Sequence, residues 1–203
     1  MSTKPDNPER LGGRVSEIRV AAVQLFYEQG YNATSLRDIA KVMGLRAPSL
    51  YNHISSKQQL LQDIMFDNTF SLRGLIDAAT ERGGETVVQL KLAAESLMRY
   101  AAQHRFQVHV SMSELPNVDE PAKGQLVRLR LENFDRWRNL IRRGCKEGVF
   151  TTKHPGLSAQ AILDLGAGVS YWYRPGGLYD EDKFATYYSE IALRIVGASI
   201  VET

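Results

Sequence analysis

Residues 26–61, FYEQGYNATSLRDIAKVMGLRAPSLYNHISSKQQLL, determine the fold of the N-terminal part of this chain. Between Leu36 and Met43 the apolar side chains recur at i, i+3, i+4 and i+7, which is the spacing of one helix face. Gly44 follows where that helix should end, and a very short helix is predicted over residues 47–53. Two short helices joined by a glycine-containing turn are the pattern of a helix-turn-helix unit.

Helical spacing continues on both sides of this unit. Thr34 is the predicted cap of the first short helix, and either Ser55 or Ser56 can cap the helix that follows the second one. Alternating strand patterns and internal repeats are absent, so the sequence predicts an all-α fold of about nine helices. The other predicted helices cover residues 14–29, 85–103, 104–115, 120–147, 158–173 and 180–200.

The composition is that of a globular protein of 203 residues, with 43% apolar and 24% charged residues. Its net charge is +2, and residues 1–60 carry eight Lys/Arg against five Asp/Glu, which favours an anionic partner for the N-terminal part. Cys145 is alone, so no intrachain disulfide can form. Because no apolar run approaches the ~20 residues of a membrane span, we expect a cytoplasmic protein without a membrane partner. Residues 1–13 are polar and are expected to form a mobile arm.

The polar side chains around Leu50 are the candidate DNA-binding residues. Arginine can donate two hydrogen bonds to guanine, asparagine can pair with adenine, and alanine or proline can contact a thymine methyl group. Hydroxyl, imidazole and ammonium groups suit phosphate oxygens, so Tyr51 is expected to clamp the backbone rather than read bases. The alternative is a plain helical hairpin whose polar residues are only solvated. The candidates are Thr34, Ser35, Arg46, Ala47, Pro48, Ser49, Tyr51, Asn52, His53 and Lys57.

The spacing of these residues resembles the DNA-binding domain of the TetR/AcrR family of bacterial transcriptional regulators. The sequence departs from the family pattern in three ways: Arg46 replaces a Ser/Thr helix cap, Ile54 replaces Phe, and Gln58 and Gln59 replace Glu. Beyond residue 60 the likeness rests on length, helix count and SYWYRPGG at 170–177, which is similar to the subgroup that responds to coenzyme A thioesters. The matching residues are Phe26, Gly30, Tyr31, Thr34, Ile39, Ala40, Gly44, Leu45, Leu50, Tyr51, His53, Ser56, Lys57 and Leu60.

The resemblance implies a DNA-binding domain over residues 14–56 and a ligand-binding and dimerisation domain over residues 57–203. It implies a homodimer that pairs through the last two helices, binds a palindromic double-stranded DNA operator and is released by a small apolar or acyl-CoA-type effector. The alternative for the last two helices is intrachain core, and the same holds for each pocket candidate. The basic residues of helix 120–147 are either a solvated face or a patch for coenzyme A phosphates. The pocket candidates are Phe66, Phe70, Leu97, Tyr100, Phe106, His109, Met112, Phe134, Trp137 and Trp172.

An enzyme is not expected, because the sequence shows no catalytic constellation. His104 and His109 are five residues apart, so on one helix they face different directions and cannot share a metal ion. No glycine-rich phosphate loop or nucleophile motif is present, and neither a cofactor nor a metal is predicted. The remaining rival is a helical protein-interaction module that keeps the hairpin for packing alone.

Overall fold

The computed structural model describes residues 8–198, with side chains from residue 13 onward. This part of the chain forms nine α-helices and one 3-10 turn (Leu115–Asn117) and contains no strand, so the all-α prediction is confirmed. None of the described helices is long and apolar enough to cross a bilayer. The helices are α1 (Pro8–Gln29), α2 (Leu36–Val42), α3 (Ala47–Leu50), α4 (Lys57–Glu81), α5 (Thr86–Gln103), α6 (Arg105–Ser113), α7 (Ala122–Lys146), α8 (Pro155–Trp172) and α9 (Glu181–Ile195).

The N-terminal unit packs α1, α2 and α3 around one apolar core. Ile18 and Phe26 of α1, Ile39 of α2 and Leu50 of α3 are almost completely buried in it. The first turns of α4 close the same core with Leu60, Leu61 and Ile64. Residues 26–61 therefore form one packed unit rather than an isolated hairpin.

Several helix ends differ from the sequence prediction: α3 ends at Leu50 instead of residue 53, α8 begins at Pro155 instead of residue 158, and the largest differences are in α1 and α9. Helix α1 begins at Pro8 instead of residue 14, because proline is well suited to the first position of a helix. The rest of the predicted arm, residues 1–7, lies outside the described residues. Helix α9 ends at Ile195 instead of residue 200, since Gly197 adopts φ +65° and Ala198 N–H donates to Leu193 O at 3.0 Å. Residues 199 and 200 are also outside the described part.

The C-terminal body is built around α5, which packs on α4, α8 and α9 while α7 covers α4 and α8. Its core includes Leu90, Met98, Ile141, Ile162 and Ala192. Helix α6 and the start of α7 pack on the N-terminal core through Val110 and Leu126. The two halves of the chain therefore meet at α4, α6 and the beginning of α7.

Candidate functional site

Helix α3 presents a polar surface that is held in place by the buried side chain of Leu50 and by Ala47, which packs against the same core. Leu50 is 0% exposed, and it fixes the helix on the N-terminal core. Arg46, Pro48 and Asn52 are exposed, and Tyr51 is 58% exposed. Ala47, Ser49 and His53 are half-buried. Seven of the ten predicted DNA-binding residues thus lie at the surface around one short helix.

Arg46 is the N-cap residue of α3, and its side chain makes no capping hydrogen bond. The departure from the family pattern therefore has the expected effect of leaving this helix without a side-chain cap. The Arg46 guanidinium forms no hydrogen bond or ion pair with residues 13–198, and Pro48 occupies the first turn. This guanidinium is free to contact a ligand outside the chain.

Thr34 differs from the prediction because its side chain is buried. It is 2% exposed, and its hydroxyl donates to Gly30 O at 2.9 Å and accepts from Gln29 Nε2 at 3.1 Å. These bonds join the end of α1 to the following turn. Thr34 is therefore a structural residue here, and we withdraw it from the candidate phosphate contacts.

Ser35, and not Thr34, caps α2. Its hydroxyl accepts from Asp38 N–H at 3.2 Å, and the Asp38 carboxylate accepts from Ser35 N–H at 2.8 Å. The hydrogen bonds from Ser35 hold the pKa of Asp38 below its ordinary value. Ser35 remains exposed at the turn before α2.

Lys57 also differs from the prediction of a phosphate contact. Its ammonium group donates to Tyr31 O and to Thr34 O, both at 2.8 Å, and lies 4.1 Å from the centroid of the Tyr31 ring. Burial lowers the pKa of Lys57 from its ordinary value. The Tyr31 hydroxyl in turn donates to Gln58 Oε1 at 2.7 Å, so the glutamine that departs from the family pattern has a hydrogen-bond partner within the chain. Lys57 therefore braces the turn between α1 and α2 from the start of α4.

Two further basic residues near this surface were missed by sequence reasoning. Arg37 and Lys41 lie one turn apart on α2, are exposed, and pair with nothing among residues 13–198. Their i, i+4 spacing off the apolar stripe of α2 was a usable signal. Together with Arg46 they give the helix-turn-helix surface three unpaired positive charges.

A cavity of about 500 Å³ lies between α4, α5, α6, α7 and α8. Four of the predicted pocket residues line it, namely Leu97, Met112, Phe134 and Trp137. The rest of its wall consists of Asn68, Thr69, Leu72, Ala101, Val108, Ser111, Leu115, Val127, Arg130, Leu131, Asn133, Gln160, Leu163, Asp164, Gly166 and Ala167.

The polar part of this wall was missed by a search for aromatic and sulfur-containing side chains. Asn68 and Thr69 continue the apolar stripe of α4, and Arg130 and Asn133 fall on the stripe of α7 that includes Trp137. Polar residues at positions whose neighbours in the stripe are buried were the available signal, because such groups need an internal partner.

A second, more open cleft of about 790 Å³ lies between α1, α4, α5 and α6. Three other predicted pocket residues, Phe70, Tyr100 and Phe106, line this cleft rather than the cavity. Burial raises the pKa of Tyr100 and lowers that of His104, which lies 4.5 Å from the Tyr100 ring between centroids.

The remaining three predicted pocket residues line neither space. Phe66 stacks against Phe70 with centroids 6.2 Å apart, beside the N-terminal core. His109 lies between the rings of Tyr27 and Tyr171, 4.9 Å from each. We withdraw both from the proposed pocket wall. We also withdraw Trp172, whose aromatic neighbours are Tyr173, Tyr179, Phe184 and Tyr188.

Helix α6 contacts the cavity and the N-terminal unit with different faces. Ser111 and Met112 line the cavity. On another face Phe106 lies 4.4 Å from Tyr27 of α1, and His109 contacts the same tyrosine. Helix α6 therefore connects the cavity wall to α1.

The arginines of α7 are mostly engaged within the chain. Arg136 pairs with Asp77 at 2.7 Å, Arg138 with Asp135 at 2.9 Å and Arg143 with Glu147 at 3.7 Å. Arg128 and Arg142 are exposed and form no ion pair within residues 13–198. Since they are mostly engaged, these side chains do not form a continuous patch for the phosphates of coenzyme A.

An exposed short helix after a glycine turn, carried by a three-helix unit on a helical body with a cavity, is the arrangement of a helix-turn-helix DNA-binding protein. The family models agree. Residues 18–64 match the bacterial regulatory proteins of the tetR family, and residues 83–196 match the tetracyclin repressor-like C-terminal domain. The chain belongs to the TetR family and is a transcriptional regulator.

Individual relatives have the same architecture. The chain is 27% identical over 199 residues to the HTH-type transcriptional repressor KstR2 of Mycolicibacterium smegmatis, covering 93% of each protein. A tetR-family regulatory protein from Rhodococcus RHA1 superposes with a TM-score of 0.83 at 27% identity, over 92% of this chain and 98% of that one. AibR, solved with isovaleryl coenzyme A and operator DNA, shares the fold with a TM-score of 0.78 at 18% identity, over 92% and 100%. These relatives are regulators and not enzymes, in agreement with the absence of a predicted catalytic site.

Proposed function

We propose that this protein is a cytoplasmic repressor that binds a palindromic operator as a homodimer and is released by a small apolar or acyl-CoA-type effector. The observation that carries the proposal is the exposed edge of α3, where Arg46, Tyr51 and Asn52 face outward from a buried anchor, Leu50. Arginine and asparagine are the side chains that pair with guanine and adenine in the major groove. The name of the KstR2 relative supports repression as the sign of regulation.

The dimer is needed because one short helix reads only a few base pairs. Two-fold pairing places two recognition helices on half-sites about 34–36 Å apart, or a multiple of that distance. An exposed apolar stripe on α8 includes Leu157, which is 71% exposed, and Ala161, while α9 exposes Tyr187. Such a stripe is suited to pairing with a second copy. Val169 and Phe184 are buried within the chain and would support this surface from behind.

We propose that ligand binding releases DNA through a conformational change that α6 transmits from the cavity to α1. A ligand in the cavity would contact Ser111 and Met112 of α6. On another face of the same helix, Phe106 contacts Tyr27 of α1. A cavity of about 500 Å³ is within the range that holds one drug-sized molecule. For an acyl-CoA effector the acyl part would therefore occupy the cavity while the nucleotide stays outside.

The test is binding to the DNA upstream of the protein's own gene, measured by fluorescence anisotropy over a range of salt concentrations. We expect log affinity to fall linearly with log salt, with a slope of about −0.9 for each phosphate contact. A slope near zero would favour the protein-interaction module instead. Affinity that is unchanged when one half of the palindrome is scrambled would contradict operator binding by a homodimer.

The oligomeric state is tested by light scattering on a double variant. Leu157→Glu with Tyr187→Glu places two charges on the proposed pairing surface, and we expect monomers that lose operator binding. Val88→Glu, an exposed apolar position on α5, is the control and should stay dimeric. A dimer that survives the double variant would overturn pairing through α8 and α9.

A further inference from the structure

We propose that the cavity selects an apolar carboxylic acid and that the guanidinium of Arg130 binds its carboxylate. The inference rests on the proposed function in one respect, namely that the cavity holds the effector. It narrows the effector class to molecules with one negative charge on an apolar body.

Arg130 is a half-buried cation in the cavity wall, and no counterion for it lies among residues 13–198. It lines the cavity from α7, and its Nη2 donates to Ser111 O at 2.6 Å. It forms no ion pair with any acid among residues 13–198, in contrast to Arg136, Arg138 and Arg143 of the same helix. Asp164 also lines the cavity, but it is exposed and accepts from Gln160 at 2.8 Å.

The charge on Arg130 persists despite its surroundings. Burial lowers the pKa of Arg130 from its ordinary value, yet a guanidinium stays protonated at neutral pH. A desolvated cation without a partner is costly, and a bound anion removes that cost. Among residues 13–198 only one of the five guanidinium donors has a partner, so the others are available to a ligand.

The neighbouring polar groups strengthen this assignment. Ser111 is 1% exposed and its hydroxyl has no hydrogen-bond partner within the described chain. Asn133 Oδ1, one turn along α7 from Arg130, is also buried without a hydrogen-bond partner within the described chain. Asn133 Nδ2 donates to Thr69 O at 3.0 Å. Buried polar atoms without partners are few in native proteins and call for a ligand or water.

The rest of the wall accounts for the apolar body of the ligand. Leu97, Phe134, Trp137 and Leu163 line the cavity around the polar group. A carboxylate can accept two parallel hydrogen bonds from a guanidinium, whereas an amide or a thioester carbonyl carries no charge to offset that of arginine. An acid is therefore favoured over its amide or its coenzyme A ester.

Arg130 also connects the ligand to the conformation of α6. Ser111 lies in the last turn of α6, so its carbonyl has no partner within the helix, and Arg130 supplies one. A carboxylate that binds the remaining donors and draws the guanidinium toward itself weakens the bond to this carbonyl. The end of α6 is thereby loosened, and the opposite face of α6 contacts Tyr27 of α1.

The experiment uses the full-length protein with Trp172→Phe, which leaves Trp137 in the cavity wall as the single tryptophan. The probes are straight-chain acids from butanoate to dodecanoate, 3-phenylpropanoate, the matching primary amides and decanoyl-CoA. Arg130→Met removes the charge and Arg130→Lys keeps it. Arg128→Met, an exposed arginine two residues away, is the matched control, and thermal unfolding establishes that each variant is folded.

We expect at least one acid to change Trp137 emission with an affinity about 10- to 100-fold higher than that of its amide. Arg130→Met should remove this preference without weakening amide binding, Arg130→Lys should keep part of it, and Arg128→Met should change nothing. The proposal is overturned if no acid binds, if acid and amide bind equally, or if decanoyl-CoA binds more tightly than decanoate with no dependence on Arg130.

DNA binding measured on the same proteins separates the two proposals. If the protein binds its operator but Arg130→Met responds to acids as the wild type does, the acid proposal fails and the regulator remains. If acids bind through Arg130 but no DNA is bound, the proposed function fails and the assignment of the cavity stands.

Discussion

Replacing Lys57 with methionine tests whether this residue braces the fold or contacts DNA. Methionine retains an unbranched apolar stem but cannot donate to Tyr31 O and Thr34 O, the two carbonyls that Lys57 holds at 2.8 Å. Both carbonyls belong to the turn between α1 and α2. The loss of these two hydrogen bonds should therefore lower the stability of the whole N-terminal unit.

The magnitude follows from the two hydrogen bonds. A hydrogen bond to a charged group contributes about 1.5–3 kcal/mol, and the half-buried position of Lys57 favours the lower end because water can replace part of each bond. Some of the loss is offset, since methionine avoids the desolvation of an ammonium group. We expect Lys57→Met to lower the free energy of unfolding by about 2 kcal/mol, which corresponds to about 4–8 °C in Tm.

The assays are urea unfolding and the salt dependence of operator binding. Lys41→Met is the control, because Lys41 is exposed and unpaired within residues 13–198, and its unfolding free energy should change by less than about 0.5 kcal/mol. For Lys57→Met the log–log salt slope should keep its wild-type value. An unchanged stability together with a slope smaller by about 0.9 would show that Lys57 contacts a phosphate, and the reasoning from its hydrogen bonds would be refuted.

Three further variants test the interface and the cleft. Arg46→Ala should relax sequence preference by about 1–3 kcal/mol at one base pair per half-site in a panel of substituted operators, and a uniform loss would make it a backbone contact. Tyr51→Phe should weaken binding to every DNA equally if its hydroxyl donates to a phosphate, and a change confined to one base pair contradicts this. Burial depresses the folded-state pKa of His104, so its contribution to stability is complete above the unfolded value of about 6.5 and falls as the pH drops below it. Urea unfolding of His104→Asn should accordingly show less loss of stability between pH 7.5 and pH 5 than the wild type, and equal losses would refute the assignment.

The helices of the N-terminal unit could be predicted because their patterns are local. Apolar spacing located α2, the glycine turn located the start of α3, and the missing cap at Arg46 follows from the residue type alone. The roles of Thr34 and Lys57 could not be predicted, since both depend on contacts with other elements. Thr34 and Ser35 are equivalent caps by residue type, and only packing against α1 determines which hydroxyl is buried.

The cavity was predicted less completely, for a related reason. Four of the ten candidates line it, because large apolar side chains are as common in solid core as in a pocket wall. Trp172 shows why such predictions fail, since it packs against aromatic residues that are distant in sequence, such as Tyr188. Arg130 and Asn133 were the better signal, because a polar residue on a buried stripe needs a partner that the stripe itself does not supply.

The separation of buried and exposed residues around α3 has an evolutionary consequence. Leu50 and the half-buried Ala47 attach this helix to the core, while Arg46, Pro48, Tyr51 and Asn52 are exposed. Mutations at those four positions change the surface offered to DNA without removing a side-chain hydrogen bond or ion pair of the described residues. A duplicated copy of the gene can therefore drift toward a new target sequence one substitution at a time and remain a folded protein throughout.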